Sequence, residues 1–171
     1  MMVTHTLRRE QVLDVGVEAA FAFFADAANL EAITPPLLRF ELVTPRPIEM
    51  GVGTFLQYRL RLHRVPVRWD TLIQAWEPPH RFVDVQVRGP YRLWHHTHEV
   101  EAVDDERSLM RDTVRYAIGF GPLGAAAHRL VVRRDLEAIF DYRAARVPEL
   151  LRDADGGQAV EDEADARQVA G

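Results

Sequence analysis

Between Leu37 and Ile118 turn signals cut the chain into about six strand-length pieces, most of them joined by short turns. That is the signature of an antiparallel meander. The pieces are "LLRFELVT", "FLQYRLRL" after a glycine turn in "MGVGT", and "VPVRWDTLIQAW" closed by "EPPH". They continue with "RFVDVQV" closed by "RGP", "YRLWHHTHEVEAV" closed by "DDERS", and "LMRDTVRYAI". "GPLG" ends the sheet. From about Pro122 to Leu151 the chain then reads as one long helix. Leu136, Ile139, Phe140, Arg143, Val147 and Leu150 recur at helical spacing and form one stripe. At 1.5 Å per residue this helix is roughly 45 Å long and must lay its stripe on the sheet.

Upstream, "QVLDV" closes an opening strand within residues 3–15. "VEAAFAFFADAANLEAI" then gives two short helices broken near Asp26–Asn29, and "TPP" stops them. The fold class is therefore α+β. A curved antiparallel sheet of six to seven strands wraps a long C-terminal helix, with two short helices after the first strand. A strongly twisted sheet cannot touch the whole helix, so a cavity is expected between them.

Alternation assigns faces. Leu56, Tyr58, Leu60 and Leu62 share one side; Gln57, Arg59 and Arg61 share the other. Trp69, Thr71 and Ile73 are expected to face inward. "GPYRLWHHTHEV" holds three of the seven histidines, but period 2 divides them. Trp94, His96, His98 and Val100 face the helix, whereas His95 lies with Tyr91, Glu99 and Glu101 on the solvated side. On the next piece Arg111, Thr113 and Arg115 face out, which places Asp112 and Tyr116 inside. A buried acid needs a partner, so Asp112 is expected to hydrogen-bond His96 or His98.

Several chemistries are excluded. With no cysteine there is no disulfide, zinc-thiolate or thiol catalysis. All 21 basic residues are arginine, so there is no lysine for a Schiff base or a phosphate loop. The single serine, Ser108, lies in a turn, and serine-hydrolase chemistry has no support. His96 and His98 with a neighbouring carboxylate allow a two-histidine, one-carboxylate metal set. Alternating polar residues on a cavity wall are the commoner explanation, so no metal and no cofactor is expected.

Net charge is -5, carried by the segment from Asp153 onward, which has six acids and one arginine. The rest is neutral, which gives no support for nucleic-acid binding. Residues 152–171 read as a disordered acidic tail. "MMVTHTLRRE" has no apolar leader core, and no apolar run reaches the length needed to span a bilayer. A cytoplasmic protein without stable membrane insertion is expected.

The segments "FAFFADAANLEAITPP", "MGVGT", "WEPPHRFVDVQVRGPYRLWHHTHEV", "RDTVRYAIGFGPLG" and "LEAIFDYRAAR" together resemble the START-like, or helix-grip (SRPBCC), superfamily. That superfamily includes the birch pollen allergen, and the resemblance points to its bacterial polyketide cyclase/dehydrase-like subgroup. It implies a ligand-binding domain over residues 3–151. It also favours Phe82, Asp84 and Gln86 as the inward set of their strand, where pattern alone would favour Val83, Val85 and Val87. The expected partner is a small hydrophobic or amphipathic molecule: a lipid, polyketide, isoprenoid or aromatic compound. Its expected contacts are Tyr58, Trp69, Asp84, Gln86, Trp94, His96, His98, Asp112, Tyr116, Phe140 and Arg143. The alternatives are a cyclase/dehydrase-type enzyme drawing its acid and base from His96, His98 and Asp112, and an interaction module whose small cavity is only a packing defect.

Overall fold

In a computed structural model, which describes residues 3–119 and 131–169 with side chains as far as Asp153, the meander closes into one sheet. The strands are β1 (Thr4–Leu13), β2 (Glu41–Leu42), β3 (Phe55–Leu62), β4 (Val65–Glu77), β5 (Arg81–Arg88), β6 (Leu93–Ala102) and β7 (Ser108–Ala117). Their spatial order is β1-β7-β6-β5-β4-β3-β2, and every pair is antiparallel. Short hairpins therefore carry the chain from β3 to β7, and β1 completes the far edge. Helix α1 (Val17–Ala25) and helix α2 (Asn29–Ala32) follow β1. The break between them falls where expected. Asp26 accepts the Ala28 N–H at 2.8 Å with its side chain, so the backbone leaves the helix there.

The piece "LLRFELVT" shortens to the two residues of β2. Pro35 and Pro36 start a 3-10 turn over Pro36–Leu38, and Arg39 then takes a left-handed φ of 44°. A chain turned that sharply has little length left to pair.

Helix α3 (Arg133–Val169) carries the apolar stripe. Leu136, Phe140, Val147 and Leu151 are buried, and Ile139, Arg143 and Leu150 are half-buried. The expected helix start near Pro122 lies outside the described residues. Helical backbone continues past Leu151 into the acidic segment. Pro148 sits inside the helix and cannot donate to the carbonyl of Ala144. Gln11 on β1 supplies the missing donor: its Nε2 donates to that carbonyl at 2.7 Å. A sequence-imposed gap in the helix ladder thus becomes the point where the helix is tied to the sheet edge.

The apolar side chains gather in three groups. Val17, Ala20, Phe21 and Phe24 of α1 pack with Phe82, Val100, Met110, Val147 and Leu151. Leu56, Tyr58 and Ile73 pack with Phe40 and Trp69. Val114, Tyr116, Leu136 and Phe140 form the third group. Each fully buried large side chain contributes roughly 1.5–3 kcal/mol relative to exposure. The three groups leave a space between them. Among the described residues no helix is long and apolar enough to cross a membrane.

Candidate ligand cavity and its polar wall

That space is a cavity of about 160 Å³ between the concave sheet face and α3. Leu56, Tyr58, Leu60, Trp69, Ile73 and Trp94 line it from the strands; Leu136, Ile139, Phe140 and Arg143 line it from the helix. The aromatics pack edge to face, with Trp69 and Trp94 centroids 5.0 Å apart at 90°. The Arg143 guanidinium lies 4.9 Å from the centre of the Phe140 ring. One wall is polar. Asp84, His96 and His98 reach the cavity from β5 and β6, with Thr71 beside them.

Sheet register builds that wall. Asp84 pairs with His96 across β5 and β6, and His98 pairs with Asp112 across β6 and β7. Directly opposed residues in an antiparallel sheet bring their side chains within contact. The result is a quartet in which His96, His98 and Asp112 are buried and Asp84 is half-buried. His96 Nε2 lies 2.8 Å from Asp112 Oδ1 and His98 Nε2 lies 3.0 Å from Asp84 Oδ2, both as hydrogen bonds. His98 Nδ1 is 2.9 Å from Asp112 Oδ1, but it makes no hydrogen bond there. His96 Nδ1 is 3.4 Å from Asp84 Oδ2. The two imidazoles lie 3.7 Å apart, and the Phe82 ring stacks on His98 at 4.0 Å.

The quartet perturbs its own protonation. Burial alone would raise the Asp112 carboxyl, but the hydrogen bond with His96 and the close contact and charge of His98 outweigh it and hold Asp112 below the usual carboxylate range. Burial also opposes ionisation of Asp84, and His96, His98 and Arg143 overcome it, so Asp84 too is lowered. The histidines diverge. Burial and the charge of His98 push His96 down. His98 is raised, because its contacts with Asp112 and Asp84 outweigh burial. The Tyr58 hydroxyl is pushed up by burial and by the charge of Asp84.

Eight of the eleven expected contact residues line the cavity: Tyr58, Trp69, Asp84, Trp94, His96, His98, Phe140 and Arg143. Three stand elsewhere. Asp112 lies behind the histidines, at a small separate cleft beside Gln11 and Ala144. Tyr116 is buried in the third core group. Gln86 turns to the β5–β6 connection, donating to the Tyr91 carbonyl at 2.7 Å and accepting the Tyr91 N–H at 3.3 Å. Tyr91 itself lines the cavity. Alternation places it on the solvated face, but β6 begins only at Leu93, so alternation does not govern Tyr91. Ser108 is fully buried and donates its hydroxyl to the Val15 carbonyl at 2.9 Å, a structural role.

Leu38, Leu62 and Ile139 line the cavity and also an outer groove that carries Arg39, Arg61, His63 and Arg64. Arg39, His63 and Arg64 are the non-glycine residues with positive φ among the described residues. Left-handed backbone thus collects along this groove.

The family described as "Polyketide cyclase / dehydrase and lipid transport" matches residues 4–152. No curated protein sequence matches the chain. Among solved structures, TTHA0849 from Thermus thermophilus superposes with a TM-score of 0.71 at 15% identity, covering 88% of this chain and 99% of the other. Norcoclaurine synthase from Thalictrum flavum, in complex with dopamine and hydroxybenzaldehyde, gives 0.62 at 16% identity, covering 86% and 88%. The Zhui aromatase/cyclase from Streptomyces sp. R1128 gives 0.64 at 16% identity, covering 90% and 94%. At such identities the likeness shows the helix-grip fold and not the chemistry.

Proposed function

The chain belongs to the polyketide cyclase/dehydrase and lipid-transport family, which matches it over residues 4–152, and from that premise we propose that it binds a small, flat apolar molecule carrying one polar group. One observation carries this reading: a cavity walled by Tyr58, Trp69, Trp94 and Phe140 has its only charged sheet-borne groups, among the described residues, gathered at Asp84, His96 and His98. The apolar body lies against the aromatics. The polar atom meets the histidine–aspartate wall, where an unmet buried donor or acceptor would otherwise cost about 1–3 kcal/mol. Size narrows the guest. A cavity of about 160 Å³ is close to one of about 150 Å³ that accepts benzene. The norcoclaurine synthase neighbour is described with two ligands of one aromatic ring each, which supports the same scale.

Tryptophan emission reads the cavity directly, since Trp69 and Trp94 line it. Chelator-treated protein titrated with 4-nitrophenol and with nitrobenzene should show saturable quenching by both, with the phenol tighter by about tenfold, the worth of one hydrogen bond to a charged group. His98→Gln should erase that difference and leave nitrobenzene binding intact. Linear, non-saturating quenching by both compounds would refute the reading.

A second reading, acid–base catalysis of the cyclase type, is supported by the opposite shifts of His96 and His98. Two groups pushed apart in this way supply a base and an acid on one wall. It requires that 2-tetralone exchange its α-hydrogens with deuterated solvent faster with the protein than with His96→Gln. Equal rates would remove it.

A further inference from the structure

In the quartet each imidazole faces both carboxylates. His96 Nε2 hydrogen-bonds Asp112 and His98 Nε2 hydrogen-bonds Asp84, and each remaining nitrogen also lies near a carboxylate oxygen. His98 Nδ1 meets Asp112 Oδ1 at 2.9 Å without a hydrogen bond, and His96 Nδ1 meets Asp84 Oδ2 at 3.4 Å. Asp84, half-buried, and Asp112, buried, thus share two imidazoles, and Asp84, His96 and His98 bring three metal-ligating groups together on one wall of the cavity.

We propose that Asp84, His96 and His98 form a binding site for a divalent transition-metal ion, with Asp112 behind them as the group that orients both imidazoles. The distances fit. Ligand atoms about 2.1 Å from one ion lie about 3.0 Å apart at a right angle and about 3.4 Å apart at the tetrahedral angle. Asp84 Oδ2 is 3.0 Å from His98 Nε2 and 3.4 Å from His96 Nδ1. One ligand atom from each of the three residues lies within 4.8 Å of the others. An ion there takes the lone pairs of His98 Nε2 and His96 Nδ1. The protons then sit on His98 Nδ1 and His96 Nε2, and both face Asp112 Oδ1, at 2.9 and 2.8 Å. This is the carboxylate–histidine–metal relay that fixes ligand tautomers. A dication also balances the two carboxylates.

Placement agrees with charge. The three ligands line the cavity and Asp112 does not, so open coordination positions face the space where a guest would sit. Two imidazoles and one carboxylate with open positions suit zinc, ferrous iron or cobalt, and not the all-oxygen sites of magnesium or calcium. That a guest's polar atom would take an open position rests on the ligand reading above; the metal site itself does not.

The test uses the full, untagged chain, stripped with EDTA and titrated with Co²⁺, followed by its d–d absorption and then by Zn²⁺ competition. The expected result is one Co²⁺ per chain, displaced by Zn²⁺. Asp84→Asn and His96→Gln should each weaken binding at least 100-fold. Asp112→Asn should weaken it about 10- to 100-fold, as for a group behind the ligands. His80→Gln, a histidine away from the wall, should change nothing. Absence of a saturable cobalt band in the wild type overturns the proposal, whatever the variants do. So does binding that survives Asp84→Asn or is lost in His80→Gln. Aromatic binding is measured on metal-free protein, so either result stands without the other.

Discussion

Asp112 is the residue on which the polar wall depends. It is 7% exposed, and both histidines approach its Oδ1 within 3 Å. Removing one member of a buried ionic group leaves the others uncompensated, a loss of about 3–5 kcal/mol. Asp112→Ala is therefore expected to lower unfolding free energy by about that amount in urea titrations of metal-free protein. Asp112→Asn, which keeps an acceptor for one imidazole N–H, should cost less than half as much. A loss below about 1 kcal/mol for the alanine variant would mean that the quartet carries no charge. This wall was half legible in the sequence. Period 2 alone puts His96, His98 and Asp112 on one face and sends His95 away. Asp84 was different. Its strand buries Phe82 and Val83 alike, at 4% and 1% exposure, so hydrophobicity cannot tell the two faces apart, and family resemblance alone favoured the inward aspartate.

Elements were easier to read than their attachments. Turn signals place the strands, since prolines and glycines act locally. The tie between β1 and α3 joins residues 133 positions apart and has no local signature. It does have a cause: Pro148 leaves the Ala144 carbonyl without its helical donor, and Gln11 fills the place. A double-mutant cycle isolates this coupling. Gln11→Ala should cost about 1 kcal/mol, the value of a partly buried hydrogen bond. In a Pro148→Ala background residue 148 donates to Ala144 itself, so the same change should cost only a few tenths of a kcal/mol. Equal costs in both backgrounds would show that Gln11 acts through something other than that carbonyl. The loss of strand at "LLRFELVT" has a similar origin. Its apolar run looks extended, but Pro35 and Pro36 begin a turn that ends in the left-handed Arg39, and Leu38 of that turn lines the cavity.

The whole molecule divides by charge more sharply than by shape. Acidic and basic residues balance at 20 each through Arg152, and the full net charge of -5 lies beyond it. Among the residues whose side chains are described, Leu151 is the last buried one, just before that point. We propose that the ligand-binding body spans residues 3–151 and that residues 152–171 are an acidic appendage that sets solubility. Helical backbone across Gly156 and Gly157 does not argue against this. Each interior glycine costs about 1 kcal/mol relative to alanine, and an unsupported helix of this length is marginal in water. Truncation after Arg152 should therefore leave the melting temperature within about 2 °C of the full chain, because no core contact is lost. It should also move the isoelectric point from about 5.8 toward neutrality and bring a solubility minimum near pH 7, where a body without net charge self-associates most readily. Differential scanning calorimetry and light scattering across pH read the two effects separately. A fall in melting temperature of more than about 5 °C, worth roughly 1 kcal/mol or more in a chain this size, would show that the acidic segment packs against the body and would move the boundary beyond Arg152.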